Sequence, residues 1–158
     1  MEILRSLARH GNIVCLRYYV AEPDIEHEDN RLLSLFMDYL PSNLQLVIRE
    51  YSAGMPLSLI QIYAKQLLKG LAHLSSQKVV HRDLLPRNIL IDPSTQTLKL
   101  ADFGCAKIVT PDVPNHPKVG TFQYRALELL LGATLYDTKA GKDFQFCIYE
   151  KISGRQEW

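Results

Sequence analysis

Three short clusters of polar residues follow one another along the chain. His81-Arg82-Asp83 is trailed by Asn88, five residues past the aspartate. Asp102-Phe103-Gly104 begins nineteen residues after Asp83, and Arg125-Ala126-Leu127-Glu128 comes last. Carboxylates of these types can take up a proton, and carboxylate and amide oxygens alike can ligate a hard divalent cation. Taken singly, Asp83 and Asp102 read as solvated turn carboxylates, because aspartate is mostly an exposed residue. Any one triplet also arises by chance. The first two in this order, with a strand–turn–strand pattern between them and a long amphipathic helix before them, are far more specific.

The elements that would position these residues can be read from periodicity. Leu59, Ile62, Tyr63, Gln66, Leu67, Gly70, Leu71 and Leu74 recur at spacings of three and four, which predicts a helix over 57–77. Residues 88–92 and 98–101 are apolar runs flanking the turn Asp92-Pro93-Ser94-Thr95, and predict a hairpin. The runs 13–20 and 32–38 are rich in β-formers and predict an antiparallel pair joined by an acidic turn over 21–31. Ile3, Leu4 and Leu7 share one helical face. Pro41-Ser42-Asn43 starts a short helix, and 126–131 is a second one. The prolines of 110–120 predict a loop. Residues 141–158 mix charges and aromatics without a period and fit either a strand or a disordered tail.

Composition narrows the class. With 158 residues, 47% apolar and 22% charged, the chain has the makeup of one globular domain, not of a rod or a disordered tail. A formal net charge of +1 offers no surplus for nucleic acid or an anionic membrane surface, so neither is expected as a partner. No apolar run approaches the roughly 18 residues of a membrane span, and Met1-Glu2-Ile3-Leu4-Arg5 does not begin a secretory signal. Cys15, Cys105 and Cys147 are dispersed and odd in number, which suits reduced thiols in the cytoplasm or nucleus.

The motif order resembles the catalytic segment of eukaryotic protein kinases. Arg17-Tyr18-Tyr19, Leu35 to Pro41, Leu90 to Pro93, Leu98-Lys99-Leu100, Asp102 to Lys107 and Gly132-Ala133-Thr134 narrow the resemblance to the glycogen synthase kinase 3 family. It covers residues 1–140. The fold it implies is α+β: a partial kinase, with 1–40 as a remnant of the small lobe plus hinge and 41–140 as the catalytic and activation part of the large lobe. Residues 141–158 are a divergent tail. The resemblance also implies transfer of the ATP γ-phosphoryl group to protein serine or threonine. In that role Asp83 receives the acceptor proton, while Asn88 and Asp102 hold Mg²⁺. Met37 is then the gatekeeper, Asp38 and Leu40 offer hinge backbone groups to adenine, and Leu90 lies beneath its ring. Arg82 and Lys107 match two of three basic residues with which the family reads a phosphate already on its protein substrate.

The family pattern is broken in several places. Leu85 stands where serine/threonine kinases carry a lysine that neutralises the transferring phosphoryl group. Leu127 replaces a proline, and Lys118 aligns with the activation-loop tyrosine, whereas Thr121 keeps the hydroxyl expected beside the catalytic aspartate. Neither a glycine-rich loop nor the phosphate-binding strand lysine is found. These departures lead to the expectation of a chain incomplete at both ends and weakly active or inactive. A non-catalytic pseudokinase that binds a partner is the alternative.

Overall fold

The computed structural model describes residues 2–7, 10–23, 31–51, 54–116, 118–125 and 127–138. Helix α1 (Glu2–Ser6) leads into strands β1 (Leu16–Pro23) and β2 (Arg31–Met37). Strand β3 (Ser42–Asn43) then runs directly into α2 (Leu44–Glu50), and α3 (Leu57–Ser76) follows. The rest comprises β4 (Val79–Val80), β5 (Ile89–Asp92), β6 (Thr97–Leu100), β7 (Lys107–Ile108) and α4 (Leu127–Leu130), with single 3-10 turns at Pro86–Asn88, Phe103–Cys105 and Phe122–Tyr124. The described strands pair antiparallel as β1–β2, β3–β5–β6 and β4–β7.

Helix α3 is the central post. Ile60, Tyr63, Leu67, Gly70 and Leu74 bury one stripe at alternating spacings of three and four. The helix stops where Lys78 turns left-handed, at φ 56°, and its N–H bonds the Ser75 carbonyl at 3.0 Å. The stripe packs on Ile89 and Ile91 of β5, on Leu98 and Leu100 of β6, and on Leu7, Ile13, Leu44 and Val47. Gln66, on the edge of this stripe, has a polar task. Its Oε1 accepts from Asn12 Nδ2 and from the Leu98 N–H, both at 2.9 Å, tying the loop before β1, α3 and β6 together. Asn43 caps α2, its side chain accepting from the Leu46 N–H at 3.1 Å.

The expected strand at 13–20 is corrected. Ile13 makes an isolated parallel bridge to Leu100, the Val14 N–H bonds the Leu100 carbonyl, and β1 begins only at Leu16 and runs on through Pro23. Burial explains the division. Ile13 and Val14 are buried against the α3–β6 core, whereas β1 beyond Leu16 is exposed. Of the acidic turn, residues 24–30 lie outside the described residues, as do 141–158. No helix among the described residues is long and apolar enough to cross a membrane.

Candidate active site

The loop between β4 and β5 is laid against the loop after β6 by one backbone bond and braced by another within itself. The Ala101 N–H donates to the Asn88 carbonyl at 2.9 Å, and the Asn88 N–H to the Leu85 carbonyl at 2.9 Å. His81 is buried (4% exposed), with its Nε2 2.9 Å from the Ala101 carbonyl and its ring 4.8 Å from that of Phe103. Burial pulls the His81 pKa below its ordinary value. The Ala101 carbonyl and the carboxylates of Asp102 and Asp83 only partly oppose that fall. A neutral imidazole therefore links the two loops through hydrogen bonding and packing.

Asp83 and Asn88 are brought together. Asn88 Nδ2 donates to the Asp83 carbonyl at 2.9 Å and lies 3.5 Å from its Oδ2. Asp83 Oδ1 accepts from both the N–H (2.7 Å) and the hydroxyl (2.8 Å) of Thr121. Thr121 thus takes the place expected of it, and it orients one carboxylate oxygen while the other faces Asn88. Gly120 allows this approach: at φ +69° an added Cβ would meet the Arg82 carbonyl oxygen at 2.0 Å. Nothing in the motif spacing singled out Gly120, although its place just before Thr121 was the available signal. Arg125 braces the same segment, donating from Nε to the Val119 carbonyl and from Nη2 to the Gly120 carbonyl, each at 2.9 Å.

Asp102 is exposed and left-handed (φ 60°), and its Oδ1 accepts from the Gly104 N–H at 3.3 Å. Arg82 is also left-handed, at φ 65°. Both conformations are costly for residues with a Cβ, and here they fall on two of the motif residues. Asn88 and Asp102 supply hard oxygen donors on adjoining loops, a chemistry that fits magnesium. Among the described residues no group of three His, Cys, Asp or Glu could hold a metal ion. A divalent ion here would complete its shell with phosphate and water oxygens, as magnesium commonly does.

Arg82 Nε donates to the Cys105 carbonyl at 2.6 Å. Lys107 faces Val80 across the β4–β7 pair, two residues before Arg82, so the two expected phosphate-reading cations lie on neighbouring segments. Leu90 is half-buried and faces Lys99 in the β5–β6 register. Residues 38–40 form an irregular connection between β2 and β3. The Asp38 N–H donates to the Cys15 carbonyl at 3.1 Å. What motif reading missed is its side chain, which pairs with Arg17 and Lys99. Leu85, where a lysine was expected, is buried at 2% exposure.

The protein kinase domain family matches residues 1–142, and the chain belongs to that family. Over 142 residues it is 38% identical to a protein described as glycogen synthase kinase 1 of Pyricularia oryzae. That alignment covers 88% of this chain and 36% of the relative, so the chain spans little more than a third of the relative's length. The chain is thus a partial protein kinase domain of α+β type that resembles the glycogen synthase kinases. Kinases of this family use ATP and magnesium and act on proteins.

Proposed function

We propose that this chain carries the hinge, catalytic loop and activation segment of a serine/threonine protein kinase, with 1–40 as small-lobe remnant and hinge and 41–140 as part of the large lobe. The observation that carries this reading is the double hydrogen bond from Thr121 to Asp83 Oδ1. It leaves the carboxylate aimed by the activation segment, as a group receiving a substrate hydroxyl proton must be. In this reading Asp83 takes the proton of the serine or threonine hydroxyl as that oxygen attacks the γ-phosphorus of ATP, whose bond to the β–γ bridging oxygen breaks to release ADP. The backbone groups of Asp38 and Leu40 would bind adenine, with Leu90 beneath it, and Asn88 and Asp102 would hold magnesium. Bound magnesium supplies charge neutralisation on the phosphates. Arg82 and Lys107 favour protein substrates that already carry a phosphate.

Leu85 limits what the chain does by itself. It is buried and uncharged, and losing an electrostatic contact to a transferring phosphoryl group costs about 3 kcal/mol in the barrier. The same observation supports a second reading, a non-catalytic module that binds nucleotide and a protein partner. The deciding experiment incubates the purified chain and its Asp83→Asn variant with γ-labelled ATP, Mg²⁺ and serine/threonine peptides, half of them pre-phosphorylated. Slow labelling that disappears in Asp83→Asn supports the kinase reading. Magnesium-dependent ATP binding without labelling supports the binding module, and labelling that survives Asp83→Asn contradicts the role given to Asp83.

A further inference from the structure

We propose that Asp38 is a positioning residue whose carboxylate, gripped by Lys99 and Arg17, sets the hinge backbone at a fixed distance from the β5–β6 hairpin. The inference rests on the nucleotide-site reading above, because its consequence is to hold the wall of that site against its floor.

The Asp38 side chain is 7% exposed and receives four donors from three directions. Lys99 Nζ of β6 donates to Oδ2 at 2.5 Å, and the Cys15 N–H donates to the same oxygen at 3.2 Å. Arg17 of β1 donates from Nε to Oδ1 at 2.7 Å, with its Nη2 2.6 Å from that oxygen. Asp38 and Cys15 are also joined by the backbone bond already described, so the start of β1 and the hinge form a closed ring. One carboxylate therefore ties together β1, the hinge and β6.

Residues 38–40 belong to no helix or strand among the described residues, and a cleft of about 480 Å³, lined by Tyr39, Leu40, Thr97 and Lys99 among others, opens alongside them. The partner strand matters as much as the partner charge. Lys99 stands opposite Leu90, β5 begins immediately after Asn88, and Asp102 lies two residues beyond β6. A shift of Asp38 relative to Lys99 would move adenine's hinge contacts against Leu90 and both magnesium ligands. Small misplacements of this kind are amplified in binding and catalysis. The two arms are unequal. The Lys99 side chain is mostly buried whereas that of Arg17 is mostly exposed, so salt screens the Arg17 arm more strongly. The Lys99 arm carries the positioning.

The test compares the full chain with Asp38→Asn, Lys99→Met and Lys99→Arg. It reads binding of a fluorescent methylanthraniloyl-ADP with Mg²⁺, amide exchange at Tyr39 and Leu40, and thermal melting. Asp38→Asn and Lys99→Met are expected to weaken binding about tenfold and to speed hinge exchange by a similar factor. Lys99→Arg is expected to stay near wild type in both. Wild-type affinity and wild-type hinge exchange in Lys99→Met overturn the proposal. Should Asp38→Asn fail to fold, the Lys99→Met and Lys99→Arg pair carries the comparison. Should the wild-type chain bind no nucleotide, the nucleotide-site reading fails. Hinge exchange then decides the clamp alone, with faster exchange in Lys99→Met supporting it and unchanged exchange refuting it.

Discussion

At the scale of single residues, His81 links the site to pH. Its imidazole is buried between Ala101 and Phe103, and burial lowers its pKa below the ordinary value of about 6.5. Nε2 lies 2.9 Å from the Ala101 carbonyl, and Nδ1 lies 3.4 Å from the Asp83 N–H. The neutral tautomer protonated at Nε2 satisfies both contacts. The direction of the pH effect follows from linkage. As pH falls through about 6.5, the unfolded chain takes up a proton that the folded chain refuses, so stability falls until the folded-state pKa is reached. His10 is lowered as well, by burial first and then by His73 and Lys69, and adds to the same trend. Urea unfolding is therefore expected to give a lower stability at pH 5.5 than at pH 7.5, and His81→Gln is expected to flatten that difference. A stability that rises on acidification through this range would contradict the buried neutral imidazole.

At the scale of elements, Gly70 shows how closely α3 and β6 approach. A Cβ there would lie 3.0 Å from Leu100 Cδ1 and 3.1 Å from the Asn12 carbonyl oxygen, which itself accepts the Leu100 N–H. In an exposed helix Gly→Ala gains about 1 kcal/mol. Here the contact with fixed backbone should outweigh that gain, so Gly70→Ala is expected to lower the melting temperature; an increase would show that the interface yields. The period of α3 and the turn of the β5–β6 hairpin were legible in the sequence because each is a local pattern. The two-residue strands β3, β4 and β7 were not, since two residues carry no period and their pairing is fixed by partners far along the chain. The same distinction holds within the site. Asp83, Asn88 and Asp102 stood out through motif order and spacing, and Thr121 through the family resemblance. The carboxylate clamp of Asp38 did not, because its partners lie 21 and 61 residues away and charge pairs leave no spacing rule.

At the scale of the whole molecule, the β1–β2 pair forms a two-stranded sheet of its own among the described residues and is apolar on exposed positions that include Tyr18, Leu32, Leu33 and Phe36. A lone hairpin is marginal in water, and apolar side chains left exposed on it favour association. Sedimentation of the chain is therefore expected to depend on concentration, and the double substitution Leu32→Ser and Phe36→Ser to reduce that dependence; a concentration-independent monomer would contradict it. The central claim is the proposed magnesium–nucleotide site at loops 81–88 and 101–106. Calorimetric titration of the chain with ATP, with and without Mg²⁺, tests it most directly when Asp102→Asn and Asp83→Asn are measured alongside. The account predicts magnesium-dependent binding that Asp102→Asn abolishes and Asp83→Asn retains. Binding that ignores magnesium, or that survives the loss of Asp102 unchanged, would contradict it.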